Sequence, residues 1–385
     1  MITTRGERLM SLKRGNRWST PAHPIAAAMI VAGLCLTAAG ASADIIKSED
    51  MLRGIATTRA QCDATPQTLW VSAFGQDFCV RYYLSTAGGE GSRPVVFLNG
   101  DRFWPVNAKT WQWAPSTAKK ARDVFDDTNR DIDTTDLMKT AEAFSRMART
   151  TAIYLARMGV DGSSGRHVFR KTLLELHVMN AALEALKQRY GFEGFHLAGQ
   201  SGGSMIAAGL AGIRRDIACA VSGSGRLAVS YDIKAKEPGR NYFEPIDYIP
   251  AMAKNPSLRF VMVTDKTDEI VTVNQQSGFV AKMRQAGLRI PQYFVAATDD
   301  YHHGVTSYTQ LVAAGCILGK SDAEIATAVE TLDKRALEFN EQRRKELAAL
   351  GKKAIASRPS SDHGPAPAAP TSPAASRSRT AGKPI

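Results

Sequence analysis

The stretch Gly194-Phe195-His196-Leu197-Ala198-Gly199-Gln200-Ser201-Gly202-Gly203-Ser204-Met205-Ile206 runs from an apolar, strand-like segment through Gly-x-Ser-x-Gly into a small-residue helix start. In that context the serine occupies a sharp strand-to-helix corner. Glycine is needed at 199 and 203 because side chains there would collide with the packed helix and strand. The corner turns the Ser201 hydroxyl outward. It also puts Ser201 at a helix N-terminus, where the Gly202 backbone N–H and the helix dipole can stabilise a developing negative charge.

Outward from the corner, short apolar and β-branched runs alternate with longer segments of helical period. The strand candidates are Leu69–Phe74, Phe78–Leu84, Pro94–Leu98, Thr151–Ala156, Gly194–Ala198, Ala218–Val221, Arg259–Val263 and Gln292–Ala296, the first two forming a hairpin around Gly75-Gln76-Asp77. Helical stretches are expected over 135–149, 168–190, 203–212, 274–286 and 306–318, with a closing helix or helix pair over 322–350. This alternation predicts an α/β fold: a mainly parallel sheet of about eight strands with helices on both faces. No internal repeat is visible. No Pro/Ser-rich linker interrupts the pattern, so residues 44–350 are read as one domain.

The 385 residues are 44% hydrophobic and 22% charged, enough apolar material for a sizeable core. The net charge of +12 is concentrated at the ends. Residues 1–43 hold five Lys/Arg against Glu7, and 351–385 hold six against Asp362, which leaves 38 basic and 35 acidic residues between them. A body so balanced lacks the basic footprint of a nucleic-acid binder, and that class is set aside. The N-terminus passes from a basic region through the apolar run Ile25–Ala39 to Ala41-Ser42-Ala43, the layout of a cleavable secretory signal with cleavage expected after Ala43. The apolar run is shorter than the roughly 20 residues of a spanning helix, so no stable membrane span is expected after its removal. Gly33-Leu34 before Cys35 does not fit a lipid-modified cysteine. A secreted or periplasmic protein would meet oxidising conditions with Cys62, Cys79, Cys219 and Cys316. The preferred pairing is Cys62 with Cys79 and Cys219 with Cys316, against four buried thiols. The Pro/Ala/Ser-rich basic segment 351–385 is expected to be a disordered tail.

A serine hydroxyl is a poor nucleophile at neutral pH and needs an imidazole within reach, itself oriented by a carboxylate. Downstream of Ser201, the histidines of the body are His302 and His303, directly after the last expected strand. Asp265, Asp268 and Glu269 follow the strand that starts at Arg259. Chymotrypsin-like peptidases share a Gly-x-Ser-Gly-Gly stretch, but there the histidine and aspartate precede the serine. None of His167, His177 and His196 sits in a matching context, and the body is not all-β, so that reading is rejected.

Together the elbow and its surroundings resemble the α/β-hydrolase superfamily over about Arg93–Leu318. The resemblance implies a triad in the order serine, acid, histidine. It favours His303, followed by Gly304, as base, with His302 the alternative. It favours Asp268, in Asp268-Glu269-Ile270-Val271, as acid, with Asp265 the fallback. Asp299 and Asp300 are read as turn residues. The second oxyanion donor, beside Gly202, is expected from the Asp101 backbone N–H after Val95-Val96-Phe97-Leu98-Asn99-Gly100, with Arg102 next; Asn99-Gly100 departs here from the family's common His-Gly. Gly159, Gly162 and Gly165 are similar to the family's Gly-rich loop and lack the spacing of a phosphate-binding motif. No Cys/His/Asp/Glu cluster has metal-ligand spacing, so no metal or cofactor is expected.

The activity implied is that of a serine hydrolase acting on a small-molecule ester, through an acyl-enzyme. A peptidase of prolyl-oligopeptidase-like type and a non-catalytic binding protein of the same fold are the alternatives. Two segments could wall a cleft: 101–133 with Trp104, Trp111 and Trp113, and 224–257 with Tyr231, Tyr242, Phe243 and Tyr248. A buried cluster under a long loop would read the same way. The sequence leaves the oligomeric state open.

Overall fold

Strands buried on both faces need continuous apolar runs, and strands at a sheet margin alternate. Val95-Val96-Phe97-Leu98 and Ala152-Ile153-Tyr154-Leu155 are buried at every position, and they sit in the sheet interior. A computed structural model describes residues 45–47, 50, 54–107, 121–125, 132–231, 241–297, 299 and 301–356. They fall within the compact unit Ala43–Ile385; the expected leader and most of the expected tail, from 357 onward, lie outside the described residues, as do Trp111, Trp113 and Asp300.

The main sheet has eight strands: β1 (Thr68–Ala73), β2 (Gln76–Ser85), β3 (Val95–Leu98), β4 (Ala152–Leu155), β5 (Phe195–Gln200), β6 (Ile217–Gly223), β7 (Arg259–Asp265) and β8 (Gln292–Val295). Their spatial order is β8-β7-β6-β5-β3-β4-β2-β1. β1 pairs antiparallel with β2 and β2 with β4, and all other pairings are parallel. Each of the eight expected strands is one of these. The hairpin turn differs from expectation: it is Phe74–Gly75, both at positive φ (51° and 72°), while Gln76 and Asp77 already pair with Ala73 and Ser72. A two-residue turn between right-twisted strands requires positive φ at both positions, and Gly75 supplies one of them without strain.

Helices cover both faces. α1 (Arg59–Ala64) precedes the sheet, followed by α2 (Thr134–Ala148), α3 (Leu173–Tyr190), α4 (Gly202–Ile213), α5 (Val273–Gln285), α6 (Thr306–Ile317) and α7 (Asp322–Ala356). Successive β-strand residues serve opposite cores. On β7, Phe260 and Met262 join Leu176, Met205 and Phe279 on the α3–α4–α5 face. Val261 and Val263 join Phe144, Tyr308 and Val312 on the α2–α6 face. Each fully buried side chain of this kind contributes about 1.5–3 kcal/mol. Two further short pairings, Phe103–Asn107 with Ala121–Phe125 and Ile45–Ile46 with Ile132–Asp133, lie apart from the main sheet. No described helix is long and apolar enough to cross a membrane.

Both preferred disulfides form. Cys62–Cys79 ties α1 to β2 across 17 residues, and Cys219–Cys316 ties β6 to α6 across 97. Cross-links that close longer loops remove more chain entropy from the unfolded state. Replacing Cys219 and Cys316 by alanine should therefore lower stability by about 4–5 kcal/mol, and the Cys62/Cys79 replacement by about 3 kcal/mol, read from urea unfolding of the two double variants.

Candidate active site

The corner after β5 is held in a conformation ordinary residues avoid. Ser201 has φ 52° and ψ −117° and is the N-cap of α4. A Cβ on Gly199 would lie 2.6 Å from Gly203 backbone atoms, and one on Gly203 would lie 2.0 Å from the Leu98 carbonyl oxygen. Both glycines are thus required by backbone contact, between strand and helix at 199 and between helix and β3 at 203. The Ser201 N–H donates to the Gly223 carbonyl at the end of β6 (2.8 Å). Ser204 fastens the corner from inside: its hydroxyl lies 2.5 Å from the Gly199 carbonyl and accepts the Gly223 N–H at 3.0 Å. Gly202, in the first turn of α4, carries one of the N–H groups for which a helix offers no acceptor.

His303 arrives from 102 residues downstream. Its Nε2 is 2.8 Å from Ser201 Oγ, and its Nδ1 is 2.9 and 3.0 Å from the two Asp268 carboxylate oxygens. A carboxylate only accepts, so Nδ1 carries the ring proton and Nε2 is left to accept from the serine hydroxyl. Asp268 is fixed by the backbone N–H groups of Ile270 (2.9 Å) and Val271 (2.8 Å). Both the His303 and Asp268 side chains are buried, at 6% and 0% exposure.

His302 points elsewhere. Its backbone is left-handed (φ 53°), its side chain is 47% exposed, and Nδ1 is 3.9 Å from Asp265. Asp265 in turn accepts from the Thr267 N–H and hydroxyl (both 2.7 Å) and from the Ala297 N–H (2.6 Å), joining the ends of β7 and β8. Asp299 shapes the histidine loop: its carboxylate accepts the N–H groups of His303 (3.0 Å) and Gly304 (2.6 Å). One contact had no signal in the sequence. Gln200 Nε2 donates to the His303 carbonyl (2.8 Å), so the residue beside the serine also holds the loop that brings the histidine. The Glu269 N–H, donating to the Tyr301 carbonyl (3.0 Å), ties the acid loop to the same segment.

The loop after β3 abuts the serine. A Cβ on Gly100 would lie 3.4 Å from Ser201 Cβ. The Asp101 carboxylate meets Arg157 Nη1 (2.9 Å), Arg170 Nε (3.0 Å) and Lys171 Nζ (2.7 Å). Burial alone would raise its pKa, but Lys171, Arg157 and Arg170 hold it well below the usual carboxylate range. Arg157, 1% exposed, also forks onto Glu175 (3.0 and 2.9 Å) and donates to the Asn99 carbonyl (3.2 Å). Arg102 instead joins Asp161 and Tyr154, and its N–H lies 3.5 Å from His167 Nε2. Burial, then Arg157, push His167 well below the usual imidazole range, and its Nδ1 lies 3.0 Å from the Met158 carbonyl.

Other expected positions fall into supporting roles. Gly159, Gly162 and Gly165, all at positive φ, bend a loop whose Ser163 and Ser164 hydroxyls accept the Arg81 and Cys79 N–H groups (2.9 and 2.8 Å). Phe243 is core, edge-on to Tyr248 at 5.9 Å, and Tyr242 lies under Lys171 Nζ at 4.7 Å. Among the described residues no group of three or more His, Cys, Asp or Glu could hold a metal ion.

The sheet order, with a serine on a left-handed corner after the fifth strand, is that of the α/β-hydrolase fold. No protein-family model matches the chain, and no curated protein sequence does. Solved structures similar to it include the Pyrococcus furiosus esterase Pf2001, at 11% identity, covering 72% of this chain and 97% of that one, with a TM-score of 0.45. Est1E from Butyrivibrio proteoclasticus, solved with ferulic acid bound, has 10% identity, 66% and 98% coverage, and a TM-score of 0.43. The Pyrococcus horikoshii acylaminoacyl peptidase has 12% identity, covers 64% of this chain and 39% of its own, and has a TM-score of 0.42.

The contact at 203 is with backbone, which cannot swing aside. Gly203→Ala should cost about 1–3 kcal/mol, seen as a lowered Tm, because the elbow must move off β3.

Proposed function

We propose that the protein is an exported serine hydrolase that cleaves carboxylic esters through a Ser201–His303–Asp268 triad. The continuous hydrogen-bonded run from Asp268 through His303 to Ser201, ending on a strained corner, is the observation that carries this reading. In the reaction, Ser201 Oγ attacks the ester carbonyl carbon as its proton passes to His303 Nε2. Asp268 holds the ring and stabilises the imidazolium that forms. The negative charge on the carbonyl oxygen is met by the N–H groups of Gly202 and Asp101. Collapse breaks the bond to the alcohol, which takes the proton from His303. A water activated by the same imidazole then releases the acid and restores the serine.

Export belongs to this reading: the leader-like N-terminus and two disulfides both suit an oxidising compartment. The proposed catalytic domain takes in residues 44–350, and α7 carries its last helix on to Ala356, six residues into the segment expected to be a tail. Peptide substrates share the same tetrahedral chemistry and are the comparison in any substrate screen.

The test is fluorophosphonate labelling of the mature protein followed by peptide mass spectrometry. The expected adduct is on Ser201, and folded protein that takes up no label would refute the reading. Ser201→Ala should remove both label and ester hydrolysis without unfolding. Asp268→Asn should lower kcat by about 10⁴, because it favours the wrong imidazole tautomer. His303→Ala should abolish turnover and His302→Ala should leave it within about twofold, as expected of an exposed residue outside the hydrogen-bonded run.

A further inference from the structure

A carboxylate next to an oxyanion site should oppose catalysis, since it repels the charge the site exists to stabilise. Yet the Asp101 side chain lies against the elbow: a Cβ on Gly202 would be 2.1 Å from its Oδ1 and 2.7 Å from Arg157 Nη1. Three cations meet that one carboxylate, from Arg157, Arg170 and Lys171. Arg157 and Arg170 are each 1% exposed, and Asp101 itself only 12%. Arg157 also donates to the Asn99 carbonyl, so one guanidinium grips both the backbone and the side chain of the loop after β3. Its other edge is fixed to Glu175 at the start of α3, whose Oε2 also accepts the Lys171 N–H (2.5 Å).

Resting on the reading of Ser201 as nucleophile, we infer that the Asp101 side chain is a positioning residue: clamped by Arg157, Arg170 and Lys171, it sets the distance between its own backbone N–H and that of Gly202. The absence of a Cβ at 202 is what lets the carboxylate reach that place. The cations serve twice. They hold the clamp, and they neutralise a charge that would otherwise face the oxyanion. The carboxylate is held by Arg157, Arg170 and Lys171 and acts through the two backbone donors.

A positioning role has a signature that general loosening lacks: it is felt in the transition state and not in ground-state binding. In Asp101→Asn, kcat for p-nitrophenyl butyrate should fall by about 10²-fold with KM within about twofold, as when one oxyanion donor is lost. Inhibition by phenylboronic acid, whose serine adduct is tetrahedral and anionic, should weaken by a similar factor. Lys171→Gln, which keeps the carboxylate but removes its most exposed cation, should show the same split at about tenfold; it decides the matter if Asp101→Asn does not fold. Variants that match the wild type in kcat, or lose only KM, would overturn this inference alone. A wild-type protein that neither turns over ester nor labels at Ser201 would overturn it together with the reading it rests on.

Discussion

The backbone of residue 201 is the constraint on which the top of the molecule depends. With φ 52° it lies where a residue bearing a side chain is disfavoured, and such a conformation persists only when its surroundings over-determine it. Here they do. Gly203 backs onto the Leu98 and Asn99 carbonyls at the end of β3, Gly199 backs onto the first turn of α4, and β6 receives the Ser201 N–H through Gly223. Three neighbouring strands, β3, β5 and β6, thus fix one dihedral pair, and the hydroxyl is presented at the C-terminal end of a central strand without a flexible linkage.

That rigidity matters because the partners come from distant parts of the chain. His303 must meet a serine 102 residues earlier, and its loop is anchored in the core at Ala297 and Val305 on either side of it. Between those anchors polar contacts fix the loop: Asp299 receives two of its N–H groups, Gln200 grips the His303 carbonyl, and Glu269 binds the Tyr301 carbonyl. Each such bond contributes only about 0.5–1.5 kcal/mol to stability. Their value lies in position: together they hold the His303 ring where its Nε2 meets Ser201 Oγ at 2.8 Å.

How much of this could be read from sequence follows from the range of the forces. The eight strands were legible because their apolar runs are local and the elbow motif is contiguous. The hairpin turn slipped by a residue because Gly75 satisfies one left-handed position while the other is occupied by Phe74, which carries no turn signal. His303 and Asp268 were legible only with the chain order that the resemblance supplies. Gln200 and the Arg157–Glu175–Asp101 cluster were not legible at all. Their partners are separated by 103, 18 and 56 residues, and charges scattered over such distances look like solvated surface until the fold buries them. For the aromatics of 224–257 the pattern allowed a cleft wall or a buried cluster under a long loop, and Phe243 takes the second place, because a long loop needs its own hydrophobic anchor.

The buried cluster also explains why the elbow's setting is stiff and not merely packed. Taking Arg157 and Glu175 out of water costs several kcal/mol per ion, and a buried pair of this kind often adds no net stability over an apolar substitute. Removing one partner alone is different, at about 3–5 kcal/mol, because the survivor is left buried and uncompensated. Such a cluster therefore does little to deepen the folded state as a whole, but it penalises every arrangement that separates its members. Those members sit on the β3 loop, at the end of β4, in the segment before α3 and on α3 itself. Burial of charge here stabilises one relative placement of four chain segments around Ser201 while adding little to the free energy of folding.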